Sequence, residues 1–407
     1  MKAIHDRWCE RVRAAAGDGR PLRLRGSGSK DFYGQPLLPG SGEVFDTREY
    51  RGIVAYSPSE LVVTARCGTP LAELEAALAA QGQMLAFEPP HFGPQATVGG
   101  MLAAGLSGPR RSQAGALRDY VLGVRLIDGE GRALSFGGQV MKNVAGYDVP
   151  RLLAGSLGTL ALVTEVSLKT LPRPVAERTL VADLGEGEAL RRLAAWNALP
   201  LPLSASAWFG GCLSLRLSGA AAAVASSAAA LQRELRAAGV AVGHLPEDEA
   251  AVFWRSLREQ THPFFSATAP AGDARQFAAG VVGAEPLPLW RLALRATTPP
   301  VRPAADGAEP ASTTDAPGGI AGGATGTTLI EWGGALRWRR DGDPLALRAA
   351  AAAAGGHATL FRGDAPLKSA IGAFAPLPPP LAAIHRRLKN AFDAPGVFNP
   401  GRLFREF

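Results

Sequence analysis

The sequence predicts an α+β protein built from more than one domain, and three observations carry that prediction. A chain of 407 residues is longer than one hydrophobic core usually serves. Between Leu22 and Pro172 short β-rich runs alternate with Gly-rich turns and a few helices. After Pro174 the texture changes to amphipathic helical stretches alternating with strand-like runs. The hydrophobic share of 47% against 19% charged residues suits a globular chain. The predicted division is residues 1–174, then 175–376, then a C-terminal segment 377–407.

The elements follow in order. Met1–Leu24 carries charges throughout and has no apolar h-region, so no secretory signal is expected. No apolar run reaches the ~18 residues needed to span a bilayer. A cytoplasmic protein is predicted, touching a membrane only through a partner. Gly52–Tyr56 and Leu61–Arg66 read as strands joined by Ser57-Pro58-Ser59. A helix follows, with Thr69 placed to cap it, Pro70 in its first turn, and Leu71, Leu74 and Leu78 as its stripe. Val121–Asp128 and Arg132–Phe136 flank Gly129-Glu130-Gly131, a hairpin signal. Ala161–Lys169 alternates like a half-buried strand and runs into Leu171-Pro172-Arg173-Pro174. In the second region Glu186–Ala198, Ala221–Ala238 and Asp248–Glu259 read as helices, and Leu213–Leu217 and Leu289–Ala296 as strands. In Pro299–Thr328, Pro and Gly supply 11 of 30 residues and the large aliphatics are only Val301 and Ile320, which predicts a disordered insertion. The last helix, Leu381–Phe392, has its apolar spacing at Leu381, Ile384, Leu388 and Phe392.

Composition narrows the function. Cys9, Cys67 and Cys212 are widely separated, which excludes a disulfide framework, an ordinary zinc ribbon and an in-chain iron–sulfur cluster. No metal site is predicted, since the six histidines lack H-E-x-x-H spacing. The formal charge of +7 is spread along the chain, and its densest spot, Arg337, Arg339 and Arg340 around Trp338, is short, so no nucleic-acid partner is predicted. There is no G-x-x-x-x-G-K-[ST] loop and no G-x-S-x-G elbow, which disfavours nucleoside triphosphatases and hydrolases. His91 and His262 sit beside Pro or aromatic residues and are read as packed loop residues.

Three glycine-rich clusters carry the chemistry. They are Arg25-Gly26-Ser27-Gly28-Ser29-Lys30, then Gln95 to Gly105 with Thr97-Val98-Gly99-Gly100, then Gly155-Ser156-Leu157-Gly158-Thr159. Glycine lets backbone N–H groups close on an anion in a concave nest, and small hydroxyls add donors. Several clusters in one domain suit a long ligand with a diphosphate at its middle. Each also has a plainer reading as a surface turn or as tight helix packing. Gly26-Ser27-Gly28 begins like G-x-G-x-x-G, but position 31 is Asp, so the dinucleotide fingerprint fails. Met141 to Asp148 packs Lys142, Asn143, Tyr147 and Asp148 into a short irregular stretch that is either a polar loop or part of the site.

In order, these clusters resemble the FAD-binding domain of the PCMH type, the fold of the vanillyl-alcohol-oxidase family. Leu24 to Gly34, Thr97 to Gly123, Val140 to Asp148, Glu331-Trp332-Gly333-Gly334-Ala335-Leu336-Arg337-Trp338 and Gly396 to Leu403 are similar, more closely, to the family of FAD-binding E subunits of bacterial glycolate oxidases (dehydrogenases). The resemblance implies a two-subdomain FAD domain, an α+β cap, and a C-terminal segment returning to the FAD domain. It implies that Arg25, Gly26, Ser27, Gly28 and Ser29, with Thr97, Gly99, Gly100, Ala103 and Gly105, line the FAD diphosphate. Gly155, Gly158, Thr159 and Val163 would contact the cofactor. Lys142, Asn143 and Asn399 are candidates near the isoalloxazine, where positive charge favours the anionic reduced flavin. Some relatives attach FAD through a loop His; Ser29 follows Gly28 here, which implies non-covalent FAD. Relatives that oxidise 2-hydroxy acids carry an H-x-G-D-G-N-x-H-like metal run in the cap, and the nearest stretch, His357 to Asp364, lacks its closing Asn and His.

The implied function is a glycolate dehydrogenase subunit that converts glycolate to glyoxylate together with a second, substrate-oxidising flavin subunit and an iron–sulfur subunit. Two other functions compete with it: a stand-alone FAD-dependent dehydrogenase of D-lactate or a similar 2-hydroxy acid, and a non-catalytic assembly subunit.

Overall fold

The computed structural model describes residues 1–37, 42–138, 146–266, 288–301 and 327–406. Lys142, Asn143 and most of the predicted insertion at 299–328 lie outside these residues. The chain divides into two compact units, one made of Met1–Arg173 with Ala365–Phe407, the other of Pro174–Asp364. The α+β class predicted from the sequence holds in both.

The first unit opens with a helix, Lys2–Gly17, that the charge-rich sequence concealed. Trp8, Val12 and Ala15 recur at helical spacing and are buried with Cys9. Trp8 packs edge-on against Phe45 (5.2 Å between centroids) and its Nε1 donates to Glu49 (2.9 Å). Strands β1 (Leu22–Arg25) and β2 (Glu43–Asp46) pair in parallel. Then come β3 (Ile53–Ser57), β4 (Val62–Arg66), β5 (Gln83–Met84), β6 (Val121–Ile127), β7 (Ala133–Gly137), β8 (Leu162–Lys169) and β9 (Leu171–Pro172). Among the described residues five of them form a sheet in the order β3-β4-β8-β6-β7, with every neighbour antiparallel.

The structure corrects two local expectations. Strand β8 is not half-buried but buried along almost its whole length, because it is the central strand and both its faces are covered. Its polar residues are partnered across the strands: Ser167 Oγ lies 2.8 Å from Thr64 Oγ1, and Glu165 accepts from Tyr50 Oη (3.0 Å). Thr69 does not cap the helix Leu71–Ala79, whose N-cap is Pro70; the Thr69 hydroxyl instead accepts from Gly52 N (2.9 Å) and donates to Gly52 O (3.2 Å). The apolar stripe of that helix behaves as predicted. Leu71, Leu74 and Leu78 are wholly buried, each contributing ~1.5–3 kcal/mol of hydrophobic stabilisation. They share a core with Val98, Met101 and Leu102 from the helix Val98–Ala104 and with Val166 and Leu168 of β8.

The second unit is an antiparallel sheet of β10 (Ala176–Asp183), β11 (Leu203–Phe209), β12 (Cys212–Gly219), β13 (Val242–Leu245), β14 (Leu289–Ala293), β15 (Thr328–Glu331), β16 (Leu336–Arg339) and β17 (His357–Arg362). Its order among the described residues is β13-β10-β12-β11-β15-β16-β14-β17. Helices Glu186–Asn197 and Ala221–Ala237 bring Leu190, Leu193, Leu231 and Leu235 onto Leu180, Leu213, Leu215 and Leu217. The basic spot around Trp338 is no exposed patch. Arg337 is buried and donates to the carbonyls of Gly334 (3.2 Å), Pro299 (2.6 Å) and Thr298, while Arg339 donates to Val301 O (2.6 Å). His262 is packed as read from the sequence. Its Nδ1 accepts from Phe264 N (3.2 Å), and burial lowers its pKa to about 4, so it is neutral near pH 7.

The predicted C-terminal segment 377–407 belongs to the first unit, and so does the preceding helix Ala365–Ile371, which the predicted division placed in the second; the helix Pro379–Phe392 follows it. The stripe predicted on the latter holds only at its end, where Phe392 packs against the core beside Phe136, and fails at its start. Leu381 and Ile384 are 41% and 50% exposed, whereas Lys389 is buried. The reason is chemical: Lys389 Nζ meets a set of inward-facing oxygens that no apolar side chain could serve.

Candidate functional site

Strand β1 delivers the chain into the first glycine loop. The amides of Gly26, Ser27, Gly28 and Ser29 have no hydrogen-bond partner among the described residues. Such open N–H groups in one short loop are what an anion requires. Glycine is needed at Gly26 because a Cβ there would sit 2.4 Å from Thr97 Oγ1. At Gly28 the backbone has φ +81°, and a Cβ would meet the Arg25 guanidinium, which folds back over the loop to pair with Asp31 (2.7 Å). That pair is half-exposed and contributes little stability.

The second cluster forms the helix Val98–Ala104, with Thr97 as its N-cap accepting from Gly100 N (3.2 Å). Its other leading amides are also occupied: Val98 N donates to Thr69 O (2.9 Å) and Gly99 N to Cys67 O (2.8 Å). The open donors therefore come from the Gly26–Ser29 loop, and the helix supplies a wall of small residues. Gly99 lies against Cys67, whose thiol is pushed up to about 12 by burial and is unreactive.

The third cluster closes against the end of that helix. Gly105 has φ +64°, and a Cβ there would lie 2.7 Å from the backbone of Gly155. Gly155 N donates to Leu102 O (3.0 Å) and Leu157 N to Ala103 O (2.9 Å), so helix and loop form one wall. Thr159 is turned inward, donating its hydroxyl to Ser156 O (2.8 Å).

Together these segments enclose an open cleft of about 650 Å³, adjoined by a second of about 490 Å³. Leu24, Arg25, Gly26, Gly100, Ala103, Leu157 and Asn399 line both. Among the described residues the first carries Arg23, Arg25, Lys30 and Arg402 against one acid, Asp31. The second is walled by Leu102, Leu153, Leu162 and Val163. One end thus favours anions and the other an apolar ring system. Among the described residues Arg23 Nε is buried without a hydrogen-bond partner. Burial lowers the Arg402 pKa to about 10, Asp31 opposes that shift and Arg23 adds to it, so the guanidinium stays charged near neutral pH. An orphaned buried guanidinium nitrogen, four open amides and an excess of cations fit a diphosphate.

The predicted residues divide between the two clefts and the layer behind them. Ser27, Gly28, Ser29 and Thr97 line the first cleft; Gly99, Gly158 and Val163 line the second. Gly105, Gly155 and Thr159 line neither and act one step behind, through close packing and hydrogen bonds. Asn399 lines both, but its side chain is engaged by the backbone, accepting from Leu24 N (2.9 Å) and donating to Leu157 O (2.7 Å). The sequence assigns no role to Arg23 or Arg402, and none to Lys30 beyond its place at the end of the first cluster. A signal exists for Arg23, which stands two residues before Arg25 on β1 and so shares a face with it. Lys30 Nζ donates to His91 O (3.0 Å).

Among the described residues no three His, Cys, Asp or Glu side chains converge as a metal site. The stretch from His357 begins as β17 of the large sheet, and Arg362 at that strand's end donates to Gln260 Oε1 (2.9 Å). Among the described residues no helix is long and apolar enough to cross a membrane.

Comparison with known proteins agrees with this geometry. Residues 5–137 match the FAD binding domain family. The chain is 43% identical over 399 residues to glycolate oxidase subunit GlcE of Escherichia coli (strain K12), covering 98% of this chain and 96% of that protein. It is 32% identical over 164 residues to glycolate oxidase subunit GlcD of Bacillus subtilis (strain 168), covering 40% of this chain and 34% of that one. It is 33% identical over 154 residues to a D-lactate dehydrogenase of Archaeoglobus fulgidus, covering 38% and 34%. Among solved structures, an alkyldihydroxyacetonephosphate synthase superposes with a TM-score of 0.60 at 13% identity, over 97% of this chain and 75% of that one, a likeness of fold.

Proposed function

This chain belongs to the GlcE family of FAD-binding glycolate oxidase subunits, and from that premise we propose that it is the FAD-binding E subunit of a glycolate dehydrogenase complex. The observation that carries the reading is the extent of the likeness to GlcE, which runs through both units and the C-terminal return rather than the FAD domain alone. The likeness to GlcD and to the D-lactate dehydrogenase spans only about two-fifths of the chain.

In this reading the amides of Gly26–Ser29 donate to the diphosphate, and Arg23 and Arg25 neutralise it. Thr97, Gly100 and Ala103 form the floor that lets it approach the backbone. The apolar end at Leu102, Leu162 and Val163 excludes water from a ring of the cofactor. Bound FAD would supply a carrier that takes up two electrons and releases them singly, suited to passing on the electrons that the second flavin subunit removes, with two protons, when it oxidises glycolate to glyoxylate. Arg402 and Asn399 hold the loops that surround it. With Ser29 in the first loop and no His there, attachment is non-covalent.

The partners follow from the same chemistry. Cys9 and Cys67 are buried and Cys212 stands far from both in the sequence, which supports placing the iron–sulfur relay on another subunit. The cap lacks the closing Asn and His of the metal run, which supports assigning substrate oxidation to a second flavin subunit. Any membrane contact would come through these partners.

Expression of the chain alone and with both partner subunits tests this. Alone, it is expected to purify yellow, release its flavin into the supernatant on acid precipitation, and fail to reduce dye with glycolate or D-lactate. FAD at ~100 times its Kd is expected to stabilise the FAD-free protein by about 2.7 kcal/mol, read as a rise of several degrees in Tm. The complex is expected to oxidise glycolate and to contain two flavins. Dye reduction by the chain alone would mark a stand-alone dehydrogenase. A colourless chain whose Tm ignores FAD would mark an assembly subunit.

A further inference from the structure

We propose that the C-terminal tail, residues 389–402, is the positioning element of the FAD cleft, so that tail docking and FAD binding are one linked equilibrium. The inference rests on the FAD reading and adds to it residues whose side chains already face the protein.

The tail bonds to both walls of the cleft. It joins β1 at one parallel bridge, Leu22 to Phe398: Leu22 N donates to Val397 O (2.7 Å), and Asn399 N donates to Leu22 O (3.0 Å). The Asn399 side chain then bridges the walls, accepting from Leu24 N at the root of the first glycine loop and donating to Leu157 O in the third. Its φ of +40° is one that Asn tolerates. Arg402 grips the far side of the first loop, donating to Asp31 O (2.7 Å), Tyr33 O (2.5 Å) and Gln35 O.

Behind these contacts lies a buried anchor. Lys389 Nζ donates to Thr159 O (2.7 Å) and Phe398 O (2.9 Å) and pairs with Asp393 (2.5 Å). Asp393 in turn accepts from Val397 N (3.0 Å) and Phe398 N (2.8 Å), which fixes the turn that places Asn399. The ammonium therefore ties the third glycine loop to the tail. Neither member of this pair is left over to bind FAD itself; together they set the separation of the loops that do. Two sites joined through one ordered element must influence each other reciprocally.

The test uses the full chain and FAD. Hydrogen exchange at Val397 and Phe398 is expected to slow at least ~10-fold when FAD is added. Asn399→Gly keeps the backbone conformation and deletes both side-chain bonds. It is expected to weaken FAD binding ~10-fold or more and to shift the visible flavin spectrum, while the FAD-free protein keeps its fold. Wild type that binds FAD with unchanged tail exchange, together with an Asn399→Gly affinity within about twofold of wild type, would overturn the inference and leave the FAD reading standing. Wild type that takes up no FAD would overturn both.

Discussion

Asp393→Ala is expected to cost the first unit ~3–5 kcal/mol, because it strands a buried ammonium. The Asp393 side chain is fully buried and that of Lys389 is 7% exposed, so water cannot replace the lost carboxylate. The substitution also leaves the amides of Val397 and Phe398 without their acceptor, adding the desolvation cost of two buried donors. Asp393→Asn keeps an oxygen acceptor and is expected to cost less. Denaturant unfolding followed by fluorescence measures both. A loss below ~1 kcal/mol for the alanine variant would mean that water reaches the pair.

The second large effect is on binding rather than on stability. Gly26→Val places branched carbon where a Cβ alone would already lie 2.4 Å from Thr97 Oγ1. Overpacking of this kind typically costs ~1–3 kcal/mol where the neighbours can shift at all. Here the shift would push the Gly26–Ser29 amides away from the ligand, so FAD affinity is expected to fall ~10–100-fold or more. The partial remedy is specific: in Gly26→Ala, adding Thr97→Ala removes the opposing hydroxyl and is expected to restore much of the affinity, less the cost of a lost helix cap of about 1 kcal/mol. Quenching of flavin fluorescence on titration measures this, and unchanged affinity in Gly26→Val would remove the loop from the site.

Much of the fold and of the cleft is legible in the residues. The glycine clusters stand out because backbone approach and positive φ admit few other residues, and the strands at 53–57 and 62–66 and the hairpin from Val121 follow from turn chemistry and β-branched runs. What stays hidden depends on tertiary partners. Lys389 and Asp393 are four residues apart on a helix end, the spacing of an ordinary solvated pair, and nothing local says that three carbonyl and carboxylate oxygens wait inside. The same helix offers Leu381 and Ile384 as a plausible buried stripe, and the polar anchor overrides it. Thr69 has the composition of a cap but finds Gly52 as a nearer partner. At the second cluster a helix start beside glycines suggests anion binding, yet its amides are taken by Cys67, Thr69 and Thr97, contacts made by a chain reversal that local sequence does not display. Strand β8 looks half-buried because Thr164, Glu165 and Ser167 break its apolar pattern, and each is buried in the central strand.

The most direct measurement is a crystal structure of the chain with FAD bound. Diphosphate oxygens are expected within hydrogen-bonding distance of the Gly26–Ser29 amides, with Arg23 Nε acquiring an anionic partner and the Asn399 bridge to Leu24 and Leu157 intact. Density for the diphosphate at another place on the chain, with those amides still open, would contradict the assignment of this cleft to FAD.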